Sequence, residues 1–311
     1  MKMKINFSLD ENNYGEQELY YGNQKRYSSM TCIVFINENL LVCGSYCNRK
    51  LYLVEFDIEK NTYNIKQTID SYGKNYGKKN RVFSVDLIDY NGKYIATSNF
   101  LSCSISLYKL DKDGMKHVKS ILNSEYGFCH GIKFHPFYED IIFFTTSGST
   151  NKNCGIYAIK YEDVGETIKP FFKLTNNNLL VKDVCFSDID KNKLFGLFST
   201  NAPSPNEKKI YTSKVSMYNA NIETNEFEKL YELNFDTNCH ADCIQYHNNK
   251  LYVTIQEIDN EGFIYEILID ENRLILNKKI DGYSFPHGLN IKYGLMGVTE
   301  YGNNCISISK F

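Results

Sequence analysis

The sequence predicts an all-β fold, and three features of its residue pattern carry this prediction. A hairpin signature, in which an apolar strand is followed by a short turn and an alternating strand, recurs six times. A short strand with two apolar residues spaced two apart precedes each hairpin, and a more polar strand follows most of them. The apolar pairs are Ile33/Phe35, Val85/Leu87, Ile132/Phe134, Val184/Phe186, Ile244/Tyr246 and Leu289/Ile291. No long stretch shows the helical period. Four strands per unit, repeating every roughly 45 to 60 residues, are typical of β-propeller blades.

The six hairpins also indicate how the ring closes. They are Leu41–Ser45 with Leu51–Val54, Ile95–Asn99 with Ile105–Tyr108, Ile142–Thr146 with Ile156–Tyr161, Leu194–Thr200 with Val215–Tyr218, Leu251–Gln256 with Phe263–Leu268, and Met296–Glu300 with Ile306–Ile308. The sixth unit has three strands before Phe311, and Met3–Leu9 is an orphan alternating strand. We therefore expect Met3–Leu9 to complete the sixth blade and leave no open edge. A degenerate seventh blade within residues 10–28 is the alternative.

The predicted architecture is a single six-bladed β-propeller of four-stranded antiparallel blades, closed by the N-terminal strand. A chain of 311 residues lies in the range in which propellers fold as one domain. The expected blades are residues 29–70, 81–122, 128–175, 180–234, 240–281 and 285–311, the last completed by residues 3–9.

Composition and charge narrow the classes of function. A net charge of −2 provides no global basic field, which argues against a nucleic-acid partner. No run approaches the roughly 18 apolar residues of a membrane span, and Met1–Asn6 is not followed by the apolar segment of a signal peptide. The 10 cysteines, without an export signal, indicate free thiols in a reducing compartment, and the absence of a CxxC pair argues against a structural zinc site. We expect a cytoplasmic protein with no nucleic-acid or membrane partner.

Short windows of the sequence carry a resemblance to known propellers. Phe285–Ile291, continued through Gly294–Glu300 to Asn304–Ile308, resembles an NHL-type repeat. Together with Cys129–Ile132, this stretch resembles the six-bladed propellers of the gluconolactonase, strictosidine synthase and arylesterase group. The resemblance implies the fold and a hydrolase-type activity. Hydrolases of that group hold calcium with Glu, Asn and Asp side chains along the axis, and this set does not map onto the present chain.

Propeller geometry predicts that two sets of side chains meet at one mouth of the central channel. Every inner strand starts at the same face, and the turn between the second and third strands returns to that face. In register with the apolar pairs, the first set is Thr31, Phe83, His130, Lys182, Asp242 and His287, with Asp183 and His240 beside it. The second set, from the ends of the second strands, is Ser45, Asn99, Thr146, Thr200, Gln256 and Glu300.

The chemistry of these residues suggests a catalytic site. Imidazoles and carboxylates that meet in a concave mouth are suited to proton transfer or to binding a transition metal. The predicted catalytic residues are His130, His240, His287, Asp242, Glu300 and Lys182, and the three histidines are the candidate ligands of a divalent metal ion. The predicted ligand-binding residues are Asn99, Gln256, Asp183, Ser45 and Arg81. The simpler interpretation, a polar axis around ordered water, stays open.

Two functions therefore compete. The first is a small-molecule site with hydrolase or lyase chemistry, because neither reaction needs an organic cofactor and no motif for one occurs. The second is a non-enzymatic platform for a protein or a glycan, since tyrosine is favoured at interfaces. The tyrosines in question are Tyr14, Tyr20, Tyr21, Tyr72 and Tyr76.

Overall fold

A computed structural model of the chain confirms the predicted six-bladed β-propeller, with six four-stranded antiparallel sheets arranged in a ring. It describes residues 2–7, 19–21, 24–26, 30–46, 48–72, 85–100, 102–122, 127–147, 154–162, 170–175, 180–200, 212–236, 239–257 and 262–311. These residues form strands, turns and bends, and none of them is helical. In this part of the chain no helix has the length and apolar character that crossing a bilayer requires.

The blades follow one another along the chain, and in blades 1 to 5 the strands pair in sequence order. Blade 1 consists of β4 (Met30–Asn37), β5 (Leu40–Ser45), β6 (Lys50–Asp57) and β7 (Thr62–Asp70); blade 2 of β8 (Val85–Tyr90), β9 (Tyr94–Asn99), β10 (Ser104–Asp111) and β11 (Gly114–Leu122); and blade 3 of β12 (Phe128–Phe134), β13 (Ile141–Ser147), β14 (Gly155–Lys160) and β15 (Phe172–Thr175). Blade 4 consists of β16 (Leu180–Phe186), β17 (Lys193–Ser199), β18 (Ser213–Asn221) and β19 (Glu226–Asn234); and blade 5 of β20 (His240–His247), β21 (Lys250–Gln256), β22 (Gly262–Asp270) and β23 (Arg273–Tyr283).

Blade 6 joins the two ends of the chain, as predicted. It consists of β24 (Pro286–Lys292), β25 (Leu295–Glu300), β26 (Cys305–Lys310) and, as its outer strand, β1 (Lys2–Asn6). β1 pairs with β26 from Lys2 opposite Ser309 to Asn6 opposite Cys305. Met3 and Ile5, which alternate along β1, are fully buried. Their apolar contacts stabilise the closed ring. Within residues 10–28, the described part is a two-stranded ribbon, β2 (Leu19–Tyr21) with β3 (Gln24–Arg26), rather than a seventh blade.

The inner strands of neighbouring blades pack against one another around the channel, with β24 against β4 closing the circle. Each inner strand carries an irregularity in its pairing with the second strand, near the point where it enters the channel. A bulge of this kind turns a side chain away from the regular alternation of the sheet. The residue at the bulge therefore points into the channel mouth in every blade.

Hydroxyl groups hold four of these bulges in place. In each case, a hydroxyl group on the second strand accepts a hydrogen bond from a backbone N–H at the bulge of its own blade. The same hydroxyl donates a hydrogen bond to a backbone carbonyl at the bulge of the next blade. Thr145 accepts the Gly131 N–H at 2.6 Å and donates to the Lys182 carbonyl at 2.9 Å. Ser98, Thr254 and Thr299 make the equivalent bonds. The bulges are thus linked from blade to blade, which fixes the ring of side chains that they carry.

Glycine follows the channel-facing histidine in two blades because the next blade lies too close for a side chain. A Cβ on Gly288 would lie 2.4 Å from the Thr31 carbonyl oxygen and 2.8 Å from the Cys32 Cα. A Cβ on Gly131 would lie 2.8 Å from the Asp183 Cα. The two His-Gly pairs in the sequence therefore have a packing role in addition to the role of their imidazoles.

Candidate functional site

Six bulge residues, one from each blade, form the floor of a half-open cavity at the channel mouth. They are Thr31, Asp86, His130, Lys182, Asp242 and His287. All six are buried, with at most 8% of the residue surface exposed. The cavity has a volume of about 200 Å³, and its remaining lining residues are Gln256, Tyr46, Phe100, Phe285 and Tyr301. The predicted convergence of inner-strand side chains is therefore present in the structure.

Asp86 is a functional candidate that the sequence prediction missed. The prediction placed Phe83 here, on the apolar pair Val85 and Leu87, and Phe83 lies outside the described residues. Ile88 opposes Thr97 just after the bulge of β8, as Ile132 opposes Phe144 in β12. The correct apolar pair in blade 2 is therefore Ile88 with Tyr90, and counting back two residues gives Asp86. In each of the other five blades, the first residue of the apolar pair follows the channel-facing polar residue by two positions. The same spacing, applied to blade 2, would have identified Asp86.

Asp242 is the centre of the polar contacts on the floor. Its Oδ1 lies 3.1 Å from Lys182 Nζ, 3.2 Å from His240 Nε2 and 3.5 Å from His130 Nε2. The other ring nitrogen of His240, Nδ1, lies 3.1 Å from the Ser199 hydroxyl. Both nitrogens of His240 thus have partners, Asp242 and Ser199, and His240 does not line the cavity. This places His240 behind Asp242 as a supporting group.

Asp86 brings the other two imidazoles together. Its Oδ2 lies 3.6 Å from His130 Nε2, and its Oδ1 lies 3.4 Å from His287 Nε2. The rings of His130 and His287 are stacked, with centroids 5.9 Å apart. The floor therefore has two parts: a corner formed by Asp86, His130 and His287, and a pair formed by Lys182 and Asp242.

His287 is held in a defined orientation. Its Nδ1 lies 2.9 Å from the backbone carbonyl oxygen of Thr31, and this contact requires a proton on Nδ1 because a carbonyl only accepts. In the neutral ring, the lone pair is then on Nε2, which faces the Asp86 corner. His130 is less constrained, since its Nδ1 is buried without a hydrogen-bond partner among the described residues.

Burial and neighbouring charges split the pKa values of the two carboxyl groups. Burial raises the pKa of Asp86 well above its ordinary value, although Lys182 opposes this shift. Burial alone would raise the pKa of Asp242 too, but Lys182 and the imidazoles bring it well below its ordinary value. Burial, reinforced by the Lys182 charge, lowers the pKa of His130 to about 3. Burial also lowers the pKa of His240 and His287. Opposite shifts of two nearby carboxyl groups are a frequent property of catalytic sites.

Most of the second predicted set does not reach the floor. Of its six members, only Gln256 lines the cavity, and its Nε2 donates to the Pro286 carbonyl at 3.3 Å. Glu300, predicted to be catalytic, instead accepts hydrogen bonds from Ser307 and Ser284 and lies 3.5 Å from Lys2 Nζ. Asn99 donates to Ser104 and Ser106 within its own blade.

The physical reason is the alternation of side chains along a strand. Asn99 and Glu300 lie on the face of their blade that they share with Ser106 and Ser307 of the third strand. The residues one position earlier, Ser98 and Thr299, lie on the opposite face and bond the bulges. None of these four residues lines the cavity, whereas Gln256 does.

The remaining predicted ligand-binding residues also lie away from the floor. Asp183 is one residue further along β16 and contacts a deeper layer, where its Oδ2 accepts the Ile244 N–H at 3.0 Å. Ser45 is buried and accepts the Asn48 N–H at 3.1 Å. Arg81 lies outside the described residues.

Aromatic side chains form the walls above the floor. The Phe100 ring stacks on Phe128 with centroids 4.8 Å apart and meets His130 edge-on at 6.0 Å. On the opposite side, Tyr301 stacks on His287 with centroids 5.7 Å apart. A few polar groups beneath apolar walls are the usual arrangement of a small-molecule site. The sequence prediction did not include these aromatic residues, because they lie in turns whose course depends on the ring as a whole.

Comparisons with known proteins identify relatives in structure alone. No family model matches the chain, and a search of curated proteins finds no sequence match. A candidate 6-phosphogluconolactonase from Bacteroides uniformis has a TM-score of 0.58 at 14% identity, over 90% of this chain and 80% of that one. A second such candidate, from Bacteroides fragilis, has a TM-score of 0.55 at 14% identity, over 90% and 79% of the two chains. A hypothetical selenium-binding protein from Sulfolobus tokodaii has a TM-score of 0.57 at 10% identity, over 88% and 73%. At these identities, the similarity shows a shared propeller fold and is not evidence of a shared function.

Proposed function

We propose that the channel mouth binds a small neutral ester or lactone and hydrolyses it. The observation that carries this proposal is the composition of the cavity floor. An ammonium group, Lys182, and a corner of carboxyl and imidazole groups line the same cavity of about 200 Å³. Ester hydrolysis requires both parts, because one group must polarise the carbonyl and another must hold and activate the attacking water.

Lys182 is the group that would stabilise the developing oxyanion. Its Nζ is held by Asp242 at 3.1 Å, and its side chain is 8% exposed. A positive charge that is already fixed in a poorly hydrated site stabilises negative charge in the transition state without reorganisation. Asp242 and His240 act as positioning residues, since their contacts hold Lys182 and they stand behind the reacting groups.

The attacking water would be held at the corner of Asp86, His130 and His287. The Thr31 carbonyl fixes the His287 ring so that Nε2 faces this corner. A water at this point can donate to an imidazole nitrogen while its oxygen faces a carbonyl that is bound to Lys182. A nucleophile and a polarising group on opposite sides of the substrate carbonyl are the arrangement that acyl transfer needs.

Size and charge narrow the substrate class. A cavity of about 200 Å³ is smaller than the roughly 300–1,000 Å³ of drug-sized sites, so it suits a single small ring or a short ester. The charge of Lys182, the single Lys or Arg among the lining residues that the structure describes, is balanced by Asp242. The aromatic walls of Phe100 and Tyr301 favour a substrate with an apolar face.

The family resemblance supports hydrolysis more than elimination. The Phe285–Ile291 window resembles the gluconolactonase group, and two structural neighbours are candidate lactonases. Both names refer to cleavage of an ester bond in a ring. Lyase chemistry, an NHL-type lineage and a protein or glycan partner remain predictions from the sequence.

The test is a hydrolysis assay with a matched control. Wild-type protein is offered a panel of neutral γ- and δ-lactones and short alkyl esters, and acid release is followed in a pH-stat. Lys182→Met removes the polarising charge, and we expect the rate to fall by about 100- to 1,000-fold. Lys214→Met removes a lysine of the same blade that pairs with Glu232 on the outer strands, and it should retain the wild-type rate. Equal rates for the two variants, or no turnover of the whole panel by folded wild-type protein, would contradict the proposal.

A further inference from the structure

Three potential metal-binding atoms meet at the corner of the cavity floor. They are a carboxylate oxygen of Asp86 and the Nε2 atoms of His130 and His287, and all lie within 4.8 Å of one another. The side chains are 5%, 4% and 10% exposed. They come from three different blades, so the bulges of β8, β12 and β24 are what bring them together.

The separations match those of a metal coordination sphere. Ligand atoms of a tetrahedral ion lie about 1.6 bond lengths apart, so bonds of about 2.0–2.2 Å place them ~3.3–3.6 Å apart. The observed distances are 3.4 Å from Asp86 Oδ1 to His287 Nε2 and 3.6 Å from Asp86 Oδ2 to His130 Nε2. The two contacts involve different oxygens of one carboxylate, and all three donor atoms lie within 4.8 Å of one another, so small side-chain movements would let them bind one ion.

The orientation of His287 is an independent indication. Its Nδ1 donates to the Thr31 carbonyl at 2.9 Å, which is the outer contact that metal-binding histidines usually make. The same carbonyl accepts the Thr299 hydroxyl at 3.1 Å, so the acceptor itself is held in place. The Nε2 lone pair consequently faces an oxygen of Asp86. Two electron-rich atoms at 3.4 Å repel each other unless a proton or a cation lies between them.

Two other groups of the floor, Lys182 and Asp242, also contact His130 Nε2, and a bound ion would replace these contacts. His240 contacts Asp242 through Nε2 and Ser199 through Nδ1, which removes it from the set of three histidines that the sequence suggested. Lys182 Nζ lies 3.4 Å from His130 Nε2, and Asp242 balances its charge. Two imidazoles and one carboxylate with open positions are donors that zinc and ferrous iron accept in proteins.

We propose that Asp86, His130 and His287 bind a divalent transition metal ion of the zinc class, with an open coordination position towards the cavity. This inference goes beyond the proposed hydrolysis and stands without it, because metal binding is measured directly. If both are correct, the ion is what holds the attacking water, since a bound ion makes a water molecule nucleophilic near neutral pH.

The test compares variants of the proposed metal ligands with a variant of His240, a buried histidine that is not a proposed ligand. Full-length protein, freed of metal by chelation and dialysis, is titrated with Zn²⁺ by calorimetry, and a Co²⁺ complex is examined by visible absorption. We expect one tight site and intense Co²⁺ ligand-field bands. His287→Gln and Asp86→Asn should each weaken Zn²⁺ binding by more than about 100-fold, since losing a ligand exceeds the 10- to 100-fold cost of losing an outer contact. His240→Gln should stay within a few-fold of wild type.

Each alternative outcome overturns the assignment. Failure of the folded wild-type protein to bind Zn²⁺ would exclude the site. An equal loss in His240→Gln and His287→Gln would point to the three histidines instead. The described cysteines are buried, and a sulfur-to-cobalt charge-transfer band would reveal that one of them binds the ion. Circular dichroism of each variant shows whether the fold is retained.

Discussion

Lys182 Nζ lies 3.1 Å from Asp242 Oδ1, and the two side chains are only 8% and 4% exposed. The residues occupy the same bulge position in neighbouring blades, on β16 and β20. Transfer of either charge out of water is expensive, and the partner recovers that cost only while the pair is intact. The pair therefore joins blades 4 and 5 electrostatically at the point where the proposed chemistry takes place.

The first prediction concerns the stability of this pair. Asp242→Asn leaves the Lys182 charge buried without its partner, and we expect it to lower the free energy of unfolding by about 3–5 kcal/mol. The double variant Asp242→Asn with Lys182→Met removes both charges and should recover a large part of that loss. Urea denaturation of the wild type, both single variants and the double variant measures the coupling. Losses that simply add would show that the two side chains do not interact.

The second prediction concerns the glycine after His287. Gly288→Ala places a Cβ 2.4 Å from the Thr31 carbonyl oxygen, so the inner strands of blades 6 and 1 must move apart. We expect a loss of about 1–3 kcal/mol in stability, as for other overpacked sites. Gly131→Ala should behave in the same way, because Gly131 of blade 3 faces the Asp183 backbone in blade 4. Thermal unfolding of both variants measures the effect, and unchanged midpoints would mean that the blades are less tightly packed than the structure has them.

The fold was predictable because its signals are local and repeated. The apolar strand Leu41–Ser45 and the alternating strand Leu51–Val54 form a hairpin through neighbours in sequence, and six copies allow each unit to be read against the others. The closure by β1 was predictable by elimination, since Met3 and Ile5 alternate with polar residues and blade 6 lacked a strand.

The site was less predictable because it depends on the register of each inner strand at its bulge, and the apolar pair of blade 2 was placed three residues too early. The pattern of apolar residues does not show where a bulge lies. Val85 and Leu87 have the same spacing as the apolar pairs of the other blades, so Asp86 was not recognised as the channel-facing residue. Glu300 was expected at the mouth, but strand alternation turns it towards Ser307. His130, Lys182, Asp242 and His287 were placed correctly because their blades follow the common register.

The third prediction tests closure of the ring. Ile5 is fully buried in the outer strand of blade 6, and Ile5→Ala should cost about 2–5 kcal/mol. Asn6→Ala changes an exposed neighbour on the same strand and should be almost neutral. Urea denaturation distinguishes the two, and equal stability of both variants would mean that β1 contributes little to the ring.

The fourth prediction concerns Asp183 in the layer beneath the floor. Burial raises its pKa to about 6, although Lys133 opposes the shift, and Cys243, Cys185 and Asp86 are further ionisable groups that interact with it. The folded protein therefore binds this proton more tightly than the unfolded chain does. The stabilisation is complete below the ordinary carboxyl range and is lost as the pH rises through about 6.

Asp183→Asn removes this titration. Between pH 4 and pH 7, the wild type should lose up to about 3 kcal/mol of stability relative to the variant, because a shift of one pKa unit corresponds to about 1.4 kcal/mol. Urea denaturation of both proteins across this range gives the difference directly. Parallel stability profiles would show that Asp183 ionises normally in the folded protein.

The most direct test of the cavity as a small-molecule site is a crystal structure with δ-valerolactam, a slowly hydrolysed analogue of a δ-lactone. The account predicts density for the lactam ring between Phe100 and Tyr301, with its carbonyl oxygen within hydrogen-bond distance of Lys182 Nζ and its carbonyl carbon facing the Asp86, His130 and His287 corner. A mouth that holds only water at saturating lactam, or a lactam whose carbonyl points away from Lys182, would contradict it.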